Sequence, residues 1–553
     1  MAVPEHTERA RGVEQSVDAP GQSQATTPEQ PQATAPEQPQ ATTPGQPQAT
    51  APEQPQAAAP EKEPIDRALL VVAGVVVLGA IMSILDTTVV NVAINTLAGK
   101  FHTTLPTIQW VATGYTLALA TVIPLSGWIA DRFGTKRLYM TSIALFVIGS
   151  SLSGLAWSST SIIVFRVLQG LGGGMIMPAG MTILTRAAGP NRIGRVMSII
   201  GVPMLLGPIL GPILGGWLVA DVSWRWIFFI NVPIGIIALI ASLRVLPRDV
   251  PAHEQRLDFV DLLLLSPGLA LMIYGLAETN SAGGFGSARV LIPLLAGLAL
   301  IGAFVWHALR TSAPLIDLRL FKDRTFATSS MTLVLVAVSV FGSFLLLPLY
   351  YQAVRGESAL MSGVLLAPQG LGAMIAMPIS GQLADRTGAG RIVPLGLIAV
   401  ILSVLGLTQV GAHTSYVTLS LDLFLFGIGL GFTMMPVFTG AMQSIRGPAV
   451  ARASTALNIL QQTGASIGTA ILSVLLASAI SSKLGGGAHG TIGASAAVPP
   501  SVRAHIAPPM AAAFGQTFWW ALGLLAVAFL GSLALPKRKP DLSGDEQPLP
   551  MPV

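Results

Sequence analysis

The chain contains no cysteine, and Asp, Glu, Lys and Arg together make up only 10% of its 553 residues. The missing thiols exclude disulfides and thiolate-ligated metal sites. The scarcity of charge excludes an ordinary soluble domain, in which such residues supply about a quarter of the sequence. A formal charge of +5 at pH 7 does not stand for nucleic-acid binding, because Lys and Arg are scattered through short segments and form no basic patch. The polar stretch from Met1 to Pro64 reads as no cleavable leader. What the chain has instead is apolar: 52% hydrophobic residues and a mean hydropathy of +0.66. An all-α polytopic membrane protein is expected, with the lipid bilayer as its solvent.

Residues 1–64 repeat Pro, Gln, Ala, Thr and Glu in near copies such as Pro-Gln-Ala-Thr-Ala-Pro-Glu-Gln. So little can be buried there that a disordered tail with polyproline II character is expected. Apolar segments of about the twenty residues a spanning helix needs then follow. Fourteen are read, over 68–98, 107–130, 137–157, 161–185, 194–220, 226–246, 258–278, 289–309, 327–352, 362–384, 391–411, 416–438, 454–482 and 515–536. Lys and Arg crowd the loops on the side of the tail and are sparse on the other side, so both termini are expected in the cytoplasm.

A charged turn, Gly127-Trp-Ile-Ala-Asp131-Arg132-Phe-Gly134-Thr-Lys-Arg137, interrupts the second and third segments. Hydrocarbon cannot solvate that group of charges, so it is an aqueous loop. Gly381-Gln-Leu-Ala-Asp385-Arg386-Thr-Gly388 repeats it between segments ten and eleven. Gly170 and Gly172 in segment four return as Gly427 and Gly429 in segment twelve, and Gly207 and Gly211 in segment five as Gly464 and Gly468 in segment thirteen. Every pair is displaced by eight segments. Two six-helix bundles with two inserted helices account for this, and such duplicated halves belong mostly to secondary transporters. The expected organisation is a tail over 1–64, an N-terminal bundle over 65–247, inserted helices over 248–312, a C-terminal bundle over 313–536 and a cytoplasmic tail over 537–553.

Few residues in the spans can carry chemistry. Asp86, deep in the first segment, must be protonated, paired or facing water. Arg166, in the fourth, cannot shed its proton and needs a counter-charge. Their distances from the helix ends set both in the outer half of the membrane. A proton and a cationic ligand would compete for such a carboxylate, which is the minimal chemistry of antiport. Asp422, Asn91, Gln169, Asn458 and Gln462 are candidate cavity residues. In segment five, Gly207-Pro208-Ile-Leu-Gly211-Pro212-Ile-Leu-Gly215-Gly216 strips one helix face to backbone, and its prolines favour bending. Close packing and a gate between the halves are expected of it. The loop at Asp131 and Arg132, with its twin at Asp385 and Arg386, is expected to latch the cytoplasmic side.

These motifs resemble the major facilitator superfamily, and within it the fourteen-helix drug:proton antiporter branch of the EmrB and QacA type, over about residues 68–536. Gly127 to Arg137 is similar to the superfamily's loop motif. Phe165-Arg166-Val-Leu-Gln169-Gly170 is similar to the helix-four motif whose Arg takes part in proton coupling. Gly207 to Gly216 resembles the antiporter motif of helix five. Leu85-Asp86-Thr-Thr-Val-Val-Asn91-Val-Ala93 and Trp224-Arg225-Trp226-Ile-Phe-Phe-Ile-Asn231-Val-Pro233-Ile-Gly235 resemble sequences typical of the branch. The resemblance implies export of drugs, antibiotics or other toxic organic compounds from the cytoplasm across a bacterial plasma (inner) membrane, driven by the proton gradient, with no cofactor and no metal. The tenth and thirteenth segments lack the acids some relatives use for dications, so small lipophilic substrates that are neutral or monovalent are favoured over dicationic ones. An exporter of a self-made antibiotic would carry the same motifs. A proton symporter for nutrient uptake is a further alternative, which the helix-five pattern weighs against, and a polytopic membrane enzyme is another; it would want a His–carboxylate pair, and His307, His413, His489 and His505 are read as lacking such company. No catalytic residue is expected.

Overall fold

A computed structural model describes residues 67–188, 192, 196, 201, 207, 210, 211, 213–247, 257–279, 284–311, 314–443, 445, 449–484 and 500–537. The proline-rich tail, most of the C-terminal tail, Pro208, Pro212 and residues 485–499 of the outer loop expected over 483–513 lie outside them.

All described regular structure is helical. The N-terminal bundle comprises α1 (Arg67–Lys100), α2 (Leu105–Phe133), α3 (Thr135–Gly154), α4 (Ser159–Ala188), α5 (Ile213–Val222 as described) and α6 (Trp226–Val245). The inserted pair is α7 (Phe259–Ala277) and α8 (Ala288–Ala308). The C-terminal bundle comprises α9 (Arg324–Ala353), α10 (Ala359–Leu365 continued by Ala367–Thr387), α11 (Ala389–Leu407), α12 (Tyr416–Gln443), α13 (Ala449–Leu484) and α14 (Pro500–Ser532). Among the described residues, 12 helices are long and apolar enough to cross a membrane; with α3 and the partly described α5, the set is consistent with fourteen spans. One boundary is corrected. The last helix starts at Pro500, not near 515, and runs through Pro508 and Pro509. Proline removes one backbone donor without ending a helix whose other groups have no water to turn to.

The internal repeat is visible in the packing. Both charged loops turn on a glycine in the left-handed region, Gly134 at φ 96° and Gly388 at φ 84°, a conformation that disfavours a Cβ. Each closes its preceding helix by the same bond, Gly134 N–H to the Ala130 carbonyl at 3.0 Å and Gly388 N–H to that of Ala384 at 3.1 Å. A Cβ on Gly170 would sit 2.5 Å from the Tyr115 carbonyl of α2, and one on Gly172 2.5 Å from the Phe146 amide of α3. In the other bundle Gly427 meets the Gln369 carbonyl of α10 in the same way, and Gly429 the Gly396 carbonyl of α11. Bare backbone on α4 and α12 thus lets each helix sink against two neighbours.

The glycines of helix five face α1. A Cβ on Gly207 would overlap Ile84, one on Gly211 would overlap Thr88, and one on Gly215 would lie 3.1 Å from Val89. The hydroxyl of Thr88 donates to the Gly207 carbonyl at 3.2 Å. Gly207, Gly211 and Gly215 therefore pack on α1 inside the N-terminal bundle, the close packing expected of the stripe. The helix reaches the other bundle at Gly201, where a Cβ would meet Met377 of α10 and Met435 of α12, and at Gly216, where one would lie 3.9 Å from Leu360 of α10.

Candidate functional site

Asp86 of α1 and Arg166 of α4 meet. Arg166 Nη1 donates to Asp86 Oδ2 at 2.5 Å, and both residues are about 1% exposed. Removal of either charge alone would leave the other stranded in a medium of low dielectric, so the pair survives only with further partners. These are present. Arg166 Nη1 also donates to Gln169 Oε1 at 2.8 Å, and Gln169 Nε2 donates to Asp86 Oδ1 at 2.8 Å, closing a ring of three side chains. Arg166 and Gln169 stand three apart on α4, one helical turn, which is why they can grip the same carboxylate. Asn231 of α6 adds a bond from Nδ2 to Asp86 Oδ1 at 3.0 Å and another to Ser150 Oγ of α3 at 3.1 Å. Arg166 Nε donates to the Val111 carbonyl of α2 at 3.1 Å. The face of Tyr115 covers the guanidinium, 4.0 Å from ring centroid to the central carbon.

A cavity of about 430 Å³ lies beside this network. Both bundles line it. Ser83, Ile84, Thr87 and Thr88 of α1, Tyr115 and Thr116 of α2, and Met177 and Met181 of α4 form one wall. Phe341 and Phe344 of α9, Met377 of α10, Met434, Met435 and Phe438 of α12, and Asn458, Gln461 and Gln462 of α13 form the other. Among the described residues, the lining has no charged side chain. Methionines give it a polarizable surface that adapts to irregular apolar shapes. The Tyr115 hydroxyl, 3.5 Å from Ser83 Oγ, stands between cavity and ion pair.

Of the expected cavity residues, Asn458 and Gln462 line it, and three do not. Gln169 is fully buried in the ion-pair ring instead. Asn91 is exposed, one turn beyond Thr87 and Thr88 along the same face of α1 and past the described lining. Asp422 turns toward α11, where its carboxylate would lie 2.8 Å from a Cβ on Gly406. The repeat explains this: the glycine register pairs Arg166 with buried Leu423, and a shift of one residue turns a helical side chain by about 100°.

At the other end of α2, Asp131 is 3% exposed. Its carboxylate lies 3.5 Å from Arg186 at the end of α4 and 3.6 Å from Arg452 at the start of α13. Beside it, Ser126 Oγ lies 3.0 Å from Thr455 Oγ1, the Ser454 hydroxyl donates to the Pro178 carbonyl at 3.3 Å, and a Cβ on Gly127 would lie 3.1 Å from Thr455 Oγ1. These contacts join the bundles at the end where α2, α4 and α13 converge. Arg132 and Arg137 are exposed, as is Arg386 in the second loop, and the side chain of Asp385 lies outside the described set. Lys136 binds the Leu243 and Leu246 carbonyls at the end of α6, at 2.9 and 2.5 Å, where a cation complements the helix dipole.

Sequence reasoning gave no role to Tyr115, Asn231, Ser150, Arg186 or Arg452. Asn231 carried a signal, an amide in an apolar helix. It also read His307 as lacking company, which the structure corrects: His307 Nε2 lies 3.0 Å from Asp258 Oδ2 and 3.9 Å from Asp261 Oδ1. Burial pushes the Asp258 carboxyl up, but hydrogen bonds from His307 and from the Asp261 and Val260 amides outweigh it and hold the group below the usual range.

The sequence profile of the Major Facilitator Superfamily matches residues 76–469. A "Multidrug resistance protein B homolog" of Mycobacterium tuberculosis is 49% identical over 416 residues, 74% of this chain and 77% of that protein. The "Tetracenomycin C resistance and export protein" of Streptomyces glaucescens is 33% identical over 411 residues, 73% and 75% of the two chains. The multidrug export protein EmrB of Escherichia coli is 31% identical over 422 residues, 75% and 81%. Among solved structures, a double tryptophan mutant of XylE aligns with a TM-score of 0.57 at 15% identity, over 85% of this chain and 96% of that one. The human organic anion transporter MFSD10 (TETRAN) aligns at 0.52 and 16%, over 83% and 99%. Those two likenesses speak for the fold alone.

Proposed function

Because the chain belongs to the Major Facilitator Superfamily and is a multi-span membrane transporter of small molecules rather than an enzyme, we propose that it exports lipophilic drugs or antibiotics in exchange for protons. The reading sets it in a bacterial plasma membrane with both termini in the cytoplasm. The observation that carries it is the buried Asp86–Arg166–Gln169 ring beside an uncharged cavity shared by both bundles.

Ionised Asp86 is held by Arg166, Gln169 and Asn231. A proton taken up at Asp86 cancels its attraction for the guanidinium and releases α1 from α4 and α6. The same helix carries Ser83, Ile84, Thr87 and Thr88 on the cavity wall and packs Ile84 and Thr88 onto Gly207 and Gly211. A small displacement of α1 therefore changes cavity and α5 together. The latch at Asp131 holds the cytoplasmic ends closed in this conformer, and alternating access requires its release. A lining without carboxylates favours neutral or monovalent substrates over dications, since desolvating two charges there meets no counter-charge.

The test uses everted vesicles energised to an acidic interior. Adding a lipophilic substrate is expected to dissipate the proton gradient, and a gradient indifferent to every such compound would overturn the reading. Resistance to a bisbiguanide conferred by the protein would overturn the charge preference alone.

A further inference from the structure

At the base of the inserted hairpin, two carboxylates and an imidazole converge, and they belong neither to the cavity nor to the ion-pair network. Asp258 precedes α7, Asp261 lies in its first turn, and His307 lies in the last turn of α8. Their potential ligand atoms all lie within 4.8 Å of one another. A metal-ligating cluster of this kind occurs nowhere else among the described residues.

The two carboxylates divide their oxygens in the same manner. Asp258 Oδ1 accepts from the Val260 and Asp261 amides, at 2.9 and 3.2 Å. Asp261 Oδ2 accepts from the Leu315 amide at 2.7 Å. In each case the anchored oxygen fixes the group and the other oxygen points at His307. The Asp261 side chain is 0% exposed, and its Oδ1 has no hydrogen-bond partner. A buried anionic oxygen without a donor asks for a cation.

His307 Nε2 does not fill that need. It faces Asp258 Oδ2 at 3.0 Å, Thr311 Oγ1 at 3.2 Å and Asp261 Oδ1 at 3.9 Å. One ring nitrogen has one hydrogen or one lone pair and cannot serve three oxygens. A metal ion among the four atoms faces all of them. Backbone amides already orient both carboxylates, which is the supporting shell that metal ligands require. Two carboxylates, one neutral imidazole and a hydroxyl or water make a donor set suited to a divalent first-row cation, and the two negative charges balance its two positive ones.

We propose that Asp258, Asp261 and His307, with Thr311 at the fourth position, form a binding site for a divalent transition-metal cation, Zn²⁺ foremost. The ion would fasten the start of α7, the end of α8 and the linker at Leu315 into one unit. Because α7 packs on α2, with Tyr274 stacked on Trp110 at 5.9 Å, a metal here stiffens the hairpin beside the seam between the bundles. The site needs neither the cavity nor Asp86, so its failure would leave the transport reading untouched.

The experiment takes the full-length protein, purified through an affinity tag without histidines, stripped with a chelator and titrated with Zn²⁺ against a chromophoric indicator. One tight equivalent is expected. His307→Gln and Asp261→Asn should each weaken it by about tenfold or more, since even the loss of an outer-shell partner has that effect. His413→Gln, in a distant loop, should not. Co²⁺ in place of Zn²⁺ should give visible d–d bands in the parent that vanish in His307→Gln. No bound equivalent in the parent, or equal affinity in parent and His307→Gln, overturns the proposal. His307 is partly exposed, so the His307 variant keeps the test decisive should Asp261→Asn fail to fold.

Discussion

Three side chains, those of Arg166, Gln169 and Asn231, surround the Asp86 carboxylate in the N-terminal bundle, and the proposed coupling turns on them. Asp86→Asn keeps the shape of the group and removes its titration. Substrate-induced collapse of the proton gradient should fall to that of vesicles without the transporter, with drug binding retained; a variant that still couples would remove Asp86 from the mechanism. Tyr115 can be separated into two roles. Tyr115→Phe keeps the ring over Arg166, an interaction of about 2 kcal/mol when desolvated, and loses only the hydroxyl beside Ser83, so coupling should persist. Tyr115→Ala opens the ion pair to the cavity, and a substrate-independent proton leak, read as faster gradient decay without drug, is expected. At this scale the sequence was informative where a residue type is rare. Asp86 and Arg166 stand out in apolar segments, whereas Tyr115 is one aromatic residue among many, and only the fold lays its face on a guanidinium. The cluster of Asp258, Asp261 and His307 was hidden for another reason, since a hairpin and its loop separate the ligands along the chain.

Helices were legible because the bilayer demands long apolar runs with internal backbone bonding, and because the glycine registers repeat. What the runs do not tell is direction around the axis. The glycines of helix five announced close packing, and Ile84, Thr88 and Val89 of α1 proved to be the surface they meet. Asp422 shows the same limit, because one residue of offset from Arg166 separates a bundle interior from the α11 surface. The α1–α5 contact carries a prediction of its own. Gly211→Val must push against Thr88 and disturb its bond to the Gly207 carbonyl; overpacking of this sort destabilises by about 1–3 kcal/mol. The purified variant should unfold several degrees below the parent, and Gly216→Val, whose Cβ would meet only Leu360 at 3.9 Å, should not. Equal losses for both would mean that the stripe is not tightly packed.

For the whole molecule, the question is what keeps the ends of α2, α4 and α13 together and lets them part. The doubled loop singled out Asp131 but not its partners: Arg186 closes on it from α4 within the same bundle and Arg452 from α13 across the seam, far apart in sequence. Neither carboxylate oxygen has a hydrogen bond of good geometry, so the attraction is largely one of charge, which would suit the release proposed for alternating access. Asp131→Asn should therefore shift the population toward a form with α2 and α13 apart, and Arg452→Gln should shift it the same way by removing the cross-bundle charge alone. The absence of cysteine makes this measurable without background labelling. Spin labels at Leu243→Cys on α6 and Met331→Cys on α9, both exposed on opposite bundles, report the separation by pulsed electron resonance. Lengthened distances are expected in both latch variants and unchanged ones in Arg132→Gln, whose side chain is exposed. If Asp131→Asn leaves the distances of the parent, the hydroxyl contacts of Ser126, Ser454 and Thr455 hold the seam by themselves, and the charge at Asp131 does not govern the conformational change.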